Sequence, residues 1–258
     1  MATRPAHYPG AQAVARAITV LKAFSDTQPQ MTLADITHAT RLNRATAYRL
    51  LAALEKEGLV MRDRQSEAYR LGPEAITLGA RALRANDLRS VSRPELEALA
   101  QAAGETATLE VLADGEVLIL DEVHGHHLVG SAPSIGTRWP AHATSTGKVL
   151  LAHVPEAALP RSLPQLTEKT ITRPGTLRRE LACIREQGYA TNVAELEAGY
   201  NAVSAPVRDH EGQVVAAISV GGPDARLAPD RLEEIAEMVQ DAAGRISQRL
   251  GYRAVEAK

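Results

Sequence analysis

Residues 32–58, TLADITHATRLNRATAYRLLAALEKEG, constrain the fold more than any other stretch of this 258-residue chain. Leu33, Ile36 and Ala39 recur at helical spacing, and Thr32 with Asp35 fits a capping pair at the start of a short helix. Thr40-Arg41-Leu42 makes a tight break, and Asn43 reads as the N-cap of a second helix over 44–57. Ala47, Leu50, Leu51 and Leu54 form its buried face, which leaves Arg44, Thr46, Tyr48 and Arg49 pointing away. The next segment, LVMRDRQSEAYRLG, reads as two short strands around a polar turn at 63–67. Two helices, a break and a hairpin predict a winged helix–turn–helix. Arginine can fork onto a guanine edge, threonine can meet a thymine methyl or a phosphate, and a helix N-terminus favours phosphate. The candidate contacts to double-stranded DNA are therefore Thr32, Arg41, Asn43, Arg44, Thr46, Tyr48 and Arg49, with Arg62 and Arg64 on the wing. The plainer alternative is a small helical module that binds protein or links domains.

Charge is divided along the chain. Residues 1–70 carry 10 Lys+Arg against 6 Asp+Glu, and the remainder 19 against 25, so a basic head precedes an acidic body within a net charge of −2. A lone cysteine, Cys183, excludes an intrachain disulfide framework and fits a reducing cytoplasm. No apolar run approaches membrane-spanning length, and MATRPAHYPG lacks the apolar core of a signal peptide, so residues 1–10 are expected to be a disordered arm.

An amphipathic helix is predicted over 11–25, with Val14, Ile18, Leu21 and Phe24 packing beneath the helical pair. After the wing, 73–87 reads as an Arg-rich linker helix and candidate dimer contact, with Arg81 and Arg84 on a solvated face. Residues 88–103 read as a helix closed by Gly104. Strands follow at 106–112 and 117–123 around Asp114-Gly115, with another near 128–131. Residues 136–140 read as a loop, and 146–153 as a helix opened by HATSTGK. The proline-rich 155–176 reads as connection, 177–187 as a helix ended by Gly188, and 189–193 as extended. Two β-rich runs at 202–208 and 214–220 precede a last helix over 229–250. This mixture makes an α+β chain with a head at 11–72, a linker helix at 73–87 and a body at 88–252.

No catalytic chemistry emerges. His124, His126 and His127 lie in a glycine-containing turn with no further ligand at metal spacing. Cys183 reads as a buried inert thiol, Gly221-Gly222-Pro223 as a turn too short to cradle phosphate, and Lys148 lacks the spacing of a phosphate-binding loop. The acidic residues fall into no recognisable pair, Trp139 is expected in packing, and His142 reads as structural. No metal or cofactor is expected.

Four segments together resemble the IclR family of bacterial transcription regulators: ADITHATRLNRATAYRLLAALEKEGLVMRD with YRLGPEAITLG, then HATSTGKVLLA, GYATNVAELEAGYNAVSAPVRD and VVAAISVGGPDARL. The third follows the family signature at Gly188, Glu195, Ala202, Val203, Ser204, Val207 and Asp209. It departs at Asn192, where Asp or Ser is usual, and at Arg208, where an aromatic or His is usual. The resemblance covers roughly residues 13–250. It implies a winged helix–turn–helix domain, a linker helix and a GAF-like effector-binding domain assembling as dimers or tetramers on an operator. Members repress or activate catabolic operons in response to small organic acids or aromatic compounds, and repression is the sign expected here.

The resemblance also places an effector cup in the second domain, with Ser145 and Thr146 at a helix N-terminus suited to a carboxylate. A plain helix cap is the alternative for each hydroxyl. Asn192 and Ala202 fall where keto-acid-sensing relatives carry an acid and a cysteine, and Ser219 and Gly221 match positions that are often both serine. These departures predict a wider, less polar cup that fits an aromatic or longer acid better than glyoxylate or pyruvate. Two other readings compete: a small-molecule enzyme with a DNA-binding head, and a protein-interaction module.

Overall fold

The computed structural model describes residues 11–25, 27–63, 65–84, 87–126 and 135–253, the side chain of residue 157 apart. The expected arm at 1–10, Arg64, His127 and the strand near 128–131 lie outside the described residues. The chain divides into two compact units, Met1–Ala85 and Asn86–Lys258.

The first unit comprises α1 (Ala11–Leu21), α2 (Leu33–Thr40), α3 (Arg44–Lys56), β1 (Val60–Arg62), β2 (Tyr69–Leu71) and α4 (Pro73–Arg84). Local chemistry sets its boundaries. Thr32 and Asp35 form a reciprocal capping box, the Thr32 amide donating to Asp35 Oδ2 at 2.9 Å and the Asp35 amide to Thr32 Oγ1 at 3.3 Å. Arg41 ends α2 in the left-handed region at φ 56°, and the Asn43 side chain accepts the Thr46 amide at 2.8 Å. Val20, Met31, Ile36, Leu51, Leu54, Val60 and Tyr69 form one core, with Leu42 and Leu50 packed against it. Met31 and Tyr69 exchange backbone hydrogen bonds of 2.9 and 2.7 Å, which ties the wing to the entry of α2. Helix α1 stops at Leu21 rather than at 25. Ser25 and Gln28 pair across a reversal there, and Phe24 reaches the core from that turn.

The second unit holds α5 (Asp87–Ala103), β3 (Thr106–Ala113), β4 (Glu116–Val123), β5 (Arg138–Pro140), α6 (Ser145–Ala152), α7 (Pro174–Gln187), β6 (Ala190–Val193), β7 (Tyr200–Arg208), β8 (Val214–Pro223) and α8 (Leu232–Arg249). Its six strands form an antiparallel sheet in the order β5-β4-β3-β8-β7-β6. Side chains alternate across a strand, so each face serves a different layer. Ala107, Leu109, Val203, Ala205, Ile218 and Val220 pack under α5 and α8, burying Leu96, Leu99, Ile235, Val239 and Ile246. The opposite face meets α6 and α7 through Ala190, Ala217, Val149, Leu150, Leu177, Leu181 and Ile184.

Three sequence expectations change in this unit. Residues 138–140 pair with β4 as an edge strand, and Trp139 on it is 40% exposed rather than packed in a core. Gly221-Gly222-Pro223 is the end of β8, not a turn, because Tyr200 and Asn201 continue β7 beside it. The last helix opens with a 3-10 turn, Pro229–Arg231, before α8 begins. None of the described helices is long and apolar enough to cross a membrane.

Candidate functional site

Two places gather the residues singled out from the sequence. In the first unit, a groove of about 680 Å³ runs between the starts of α2 and α3 and the wing. Thr32, Arg44, Tyr48 and Arg62 line it, together with Leu33, Ala34, Ala45, Glu67 and Tyr69. Tyr48 is 52% exposed, and Arg41, Asn43, Arg44 and Arg49 are also exposed, whereas Thr46 is half-buried beneath its own cap. Exposure along one side of α3 follows from the opposite side being spent on Ala47, Leu51 and Leu54.

The wing contains chemistry that the sequence reading missed. The Asp63 carboxylate accepts the amides of Ser66 and Gln65 at 2.8 Å each, and the Ser66 hydroxyl at 3.0 Å. Those bonds hold its carboxyl below the ordinary range, led by the Ser66 amide. Arg62 is ion-paired with Glu67 and lies 5.5 Å from the centroid of the Tyr69 ring. The positive tip of the wing is therefore shared with an acid of the same hairpin. An acid four or five residues along a hairpin was the available signal, but register alone decides whether the two side chains meet.

In the second unit, five of the predicted effector residues converge where the first turn of α6 meets the sheet. Cross-strand pairing puts Thr108 opposite Ser219, Ser219 opposite Ser204, Ala202 opposite Gly221 and Asn192 opposite Ala202, all on one face. Thr146 joins them through Glu110, and Ser145 sits beside it at the first turn of the helix. Ser145, Thr146, Asn192, Ala202 and Ser219 are each at most 6% exposed. Gly147 makes the approach possible: a Cβ there would lie 2.1 Å from the Ala141 carbonyl oxygen. The N-cap of α6 is Thr144, whose hydroxyl accepts the Gly147 amide at 3.0 Å, so capping does not use the Ser145 or Thr146 hydroxyls.

Polar groups on this face mostly satisfy one another. Thr146 Oγ1 donates to Glu110 Oε2 at 2.5 Å, and Thr108 Oγ1 donates to Glu110 Oε1 at 2.7 Å. Thr108 has one hydroxyl proton, so in its 2.7 Å contact with Ser219 the serine is the donor. Glu110 is thus the terminal acceptor of a chain that begins at Ser219. Burial pushes its carboxyl above the ordinary carboxylate range, against the pull of the two threonines. Asn192 is engaged at both ends, donating to the Ala143 carbonyl and accepting the Glu195 amide, at 2.9 Å each. It holds the β6–β7 connection against the turn that opens α6. Among the described residues, the Ser204 hydroxyl is buried without a hydrogen-bond partner.

The wider, drier cup expected from Gly221 is corrected here. A Cβ on Gly221 would lie 2.0 Å from the Tyr200 hydroxyl, so the phenol occupies the volume that a serine would need. Burial raises that phenol, and neighbouring carboxylates, Glu110 foremost, raise it further. The face is therefore narrower and more polar than the residue types at 202 and 221 imply.

Two of the acidic residues share a buried lysine. Lys148, 1% exposed, donates from Nζ to Glu195 Oε1 at 2.6 Å and to Glu180 Oε1 at 3.1 Å, joining α6 to α7 and to the β6–β7 connection. Cys183 is exposed on α7 rather than buried, because Leu181 and Ile184 turn the inward face of that helix elsewhere. His142 is buried with Nε2 3.0 Å from the Pro164 carbonyl, while His124 and His126 are exposed. Among the described residues, no three His, Cys, Asp or Glu side chains are grouped to hold a metal ion.

Comparison with known proteins finds two matched regions in the chain. Residues 13–64 match the IclR helix-turn-helix domain, and residues 80–248 match the family described as bacterial transcriptional regulator IclR C-terminal. The HTH-type transcriptional regulator BhcR of Paracoccus denitrificans is 33% identical over 243 residues, covering 92% of this chain and 87% of that protein. The HTH-type transcriptional repressor AllR of Escherichia coli K12 is 31% identical over 255 residues, covering 97% and 94%. Among solved structures, an IclR homologue from Microbacterium hydrocarbonoxydans complexed with 4-hydroxybenzoate is 32% identical with a TM-score of 0.78, covering 92% of this chain and 98% of that one.

Proposed function

The chain belongs to the IclR family and is a DNA-binding transcriptional regulator, and from that premise we propose that it represses its target operon until a small organic acid occupies the α6 face of the second unit. The observation that carries the effector half is the convergence of Asn192, Ala202 and Ser219 on the sheet face with Ser145 and Thr146 at the first turn of α6. On this reading Thr146 and Ser219 act with Glu110 and Tyr200, Asn192 is a positioning residue, and Ala202 and Gly221 set the floor. Aromatic acids are the favoured class, a reading supported by the 4-hydroxybenzoate complex of the Microbacterium homologue.

DNA recognition is assigned to Arg44, Thr46, Tyr48 and Arg49 on α3 for base edges. Thr32, Arg41, Asn43, Arg62 and Arg64 serve the phosphates. The protein works in the cytoplasm as a homodimer or homotetramer and turns over no substrate. Gel retardation of its own promoter fragment, with and without benzoate, 4-hydroxybenzoate, pyruvate and glyoxylate, tests the whole reading. Retardation at low salt that an aromatic acid relieves is the expected result. No retardation under any of these conditions would overturn it.

A further inference from the structure

We propose that Glu110 is the residue through which the second unit reads an acid, donating a hydrogen bond to the effector carboxylate so that the two carboxyl groups share one proton. The proposal rests on the effector reading above and adds to it a proton taken up with the ligand.

Geometry places Glu110 at the seat expected for the anion. Its Oε2 accepts the Thr146 hydroxyl at the N-terminal turn of α6, and its Oε1 accepts that of Thr108. The chain's own carboxyl thus holds a donor on which an incoming carboxylate would rely. Ser204, on the same face and opposite Ser219, keeps a buried hydroxyl that no described residue bonds. A second carboxylate cannot settle beside an ionised Glu110 in this buried setting without a cation or a proton.

Among the described residues, the charged and titratable groups of the surrounding elements are already engaged or lie on the other face. From α6 comes Lys148, already held by Glu195 and Glu180. From β7 comes the Tyr200 phenol, from β8 the Ser219 hydroxyl acting through Thr108, and from β4 Glu122, 3.6 Å from His124. Glu105, at the start of β3, is paired with Arg226. His142, before α6, has its ring on the Pro164 carbonyl. On the other face of β3, the α5 residues Arg89 and Arg93 bind Asp121. Lys148 is the only ammonium among these groups, and its charge is held by Glu195 and Glu180. A proton remains as the neutralising agent, and the burial of Glu110 beside Thr146 raises its carboxyl toward accepting one with the ligand.

The test is isothermal titration of the full-length protein with benzoate and 4-hydroxybenzoate from pH 5.5 to 8.5, in buffers of differing ionisation enthalpy. Above the titration of Glu110, affinity is expected to fall about tenfold per pH unit, with close to one proton taken up per ligand. Glu110→Gln presents an amide donor of the same shape, so it should bind with pH-independent affinity and no proton uptake. A wild-type affinity that is flat across this range without proton uptake overturns the proposal and leaves the effector reading standing, as does a Glu110→Gln variant that keeps the wild-type slope. Should the variant not fold, the wild-type proton count decides alone. If neither aromatic acid nor pyruvate binds at any pH while promoter DNA is still retarded, the acid-effector reading fails and takes this proposal with it.

Discussion

On the proposed function, the two units recognise their partners by opposite physical means. The head displays its candidate contacts: Arg41, Asn43, Arg44, Tyr48 and Arg49 are exposed, and Arg44 and Tyr48 line a groove beside the wing. The body hides its own, with Ser145, Thr146, Asn192 and Ser219 buried and most of their polar atoms bound to protein groups. DNA is a large, fully hydrated polyanion, so a surface of side chains held out on a rigid helix suffices. A small molecule must be surrounded to be recognised, so its contacts come from several strands and a helix and are costly to leave unpaired. Substitutions in the head should therefore change binding with little effect on stability, and substitutions in the body should change both.

The largest expected effect lies in the body. Replacing Lys148 by Met strands Glu195, and breaking a buried pair from one side costs about 3–5 kcal/mol. Urea denaturation should show that loss while the isolated transition of the head, followed by its own probe, stays in place. A loss under about 1 kcal/mol would mean that the buried pair is dispensable, and the contrast would weaken.

Next comes Gly221→Ser, the residue often found in relatives. It drives a side chain into the Tyr200 hydroxyl and should cost about 1–3 kcal/mol by overpacking. Coupling it with Tyr200→Phe should recover part of the loss in a double-mutant cycle. Additive losses would show that the phenol is not what fills the site.

In the head, Arg49→Ala should reduce discrimination between operator and random duplex by about 1–3 kcal/mol with an unchanged melting temperature. Wild-type discrimination would remove α3 as the reading helix. The smallest effect is expected for Glu67→Gln, which frees Arg62 for phosphate. Affinity for any duplex should rise a few-fold, and the salt slope should steepen by about one unit, as fluorescence anisotropy at several salt concentrations can measure. An unchanged slope would mean that the Arg62–Glu67 pair persists on DNA.

The difference between the units also explains what could be read in advance. In the head, Thr32, Asp35, Asn43 and the 47/50/51/54 stripe act within one or two turns of themselves, so helix boundaries and the outward side of α3 followed from spacing. Helix α1 was read four residues too long because the Ser25–Gln28 pairing depends on how the chain reverses. In the body the strands were legible from alternation, but Gly221-Gly222-Pro223 looked like a turn because nothing local reveals that Tyr200 and Asn201 run beside it. Trp139 and Cys183 were placed inside because residue type favours burial, yet one lies on an edge strand and the other on the outward side of α7.

By itself, then, the sequence determined the winged head, its basic character, the α+β body and a helix opened by HATSTGK, since each depends on propensity, capping and periodicity between near neighbours. Only the tertiary structure decided that Glu110 meets Thr146 and Thr108, that Lys148 lies between Glu180 and Glu195, and that Tyr200 takes the space above Gly221. These partners are separated by between 2 and 47 residues along the chain. Sheet register and helix packing bring them together, and burial then gives each charge and hydroxyl a weight that residue type alone does not carry.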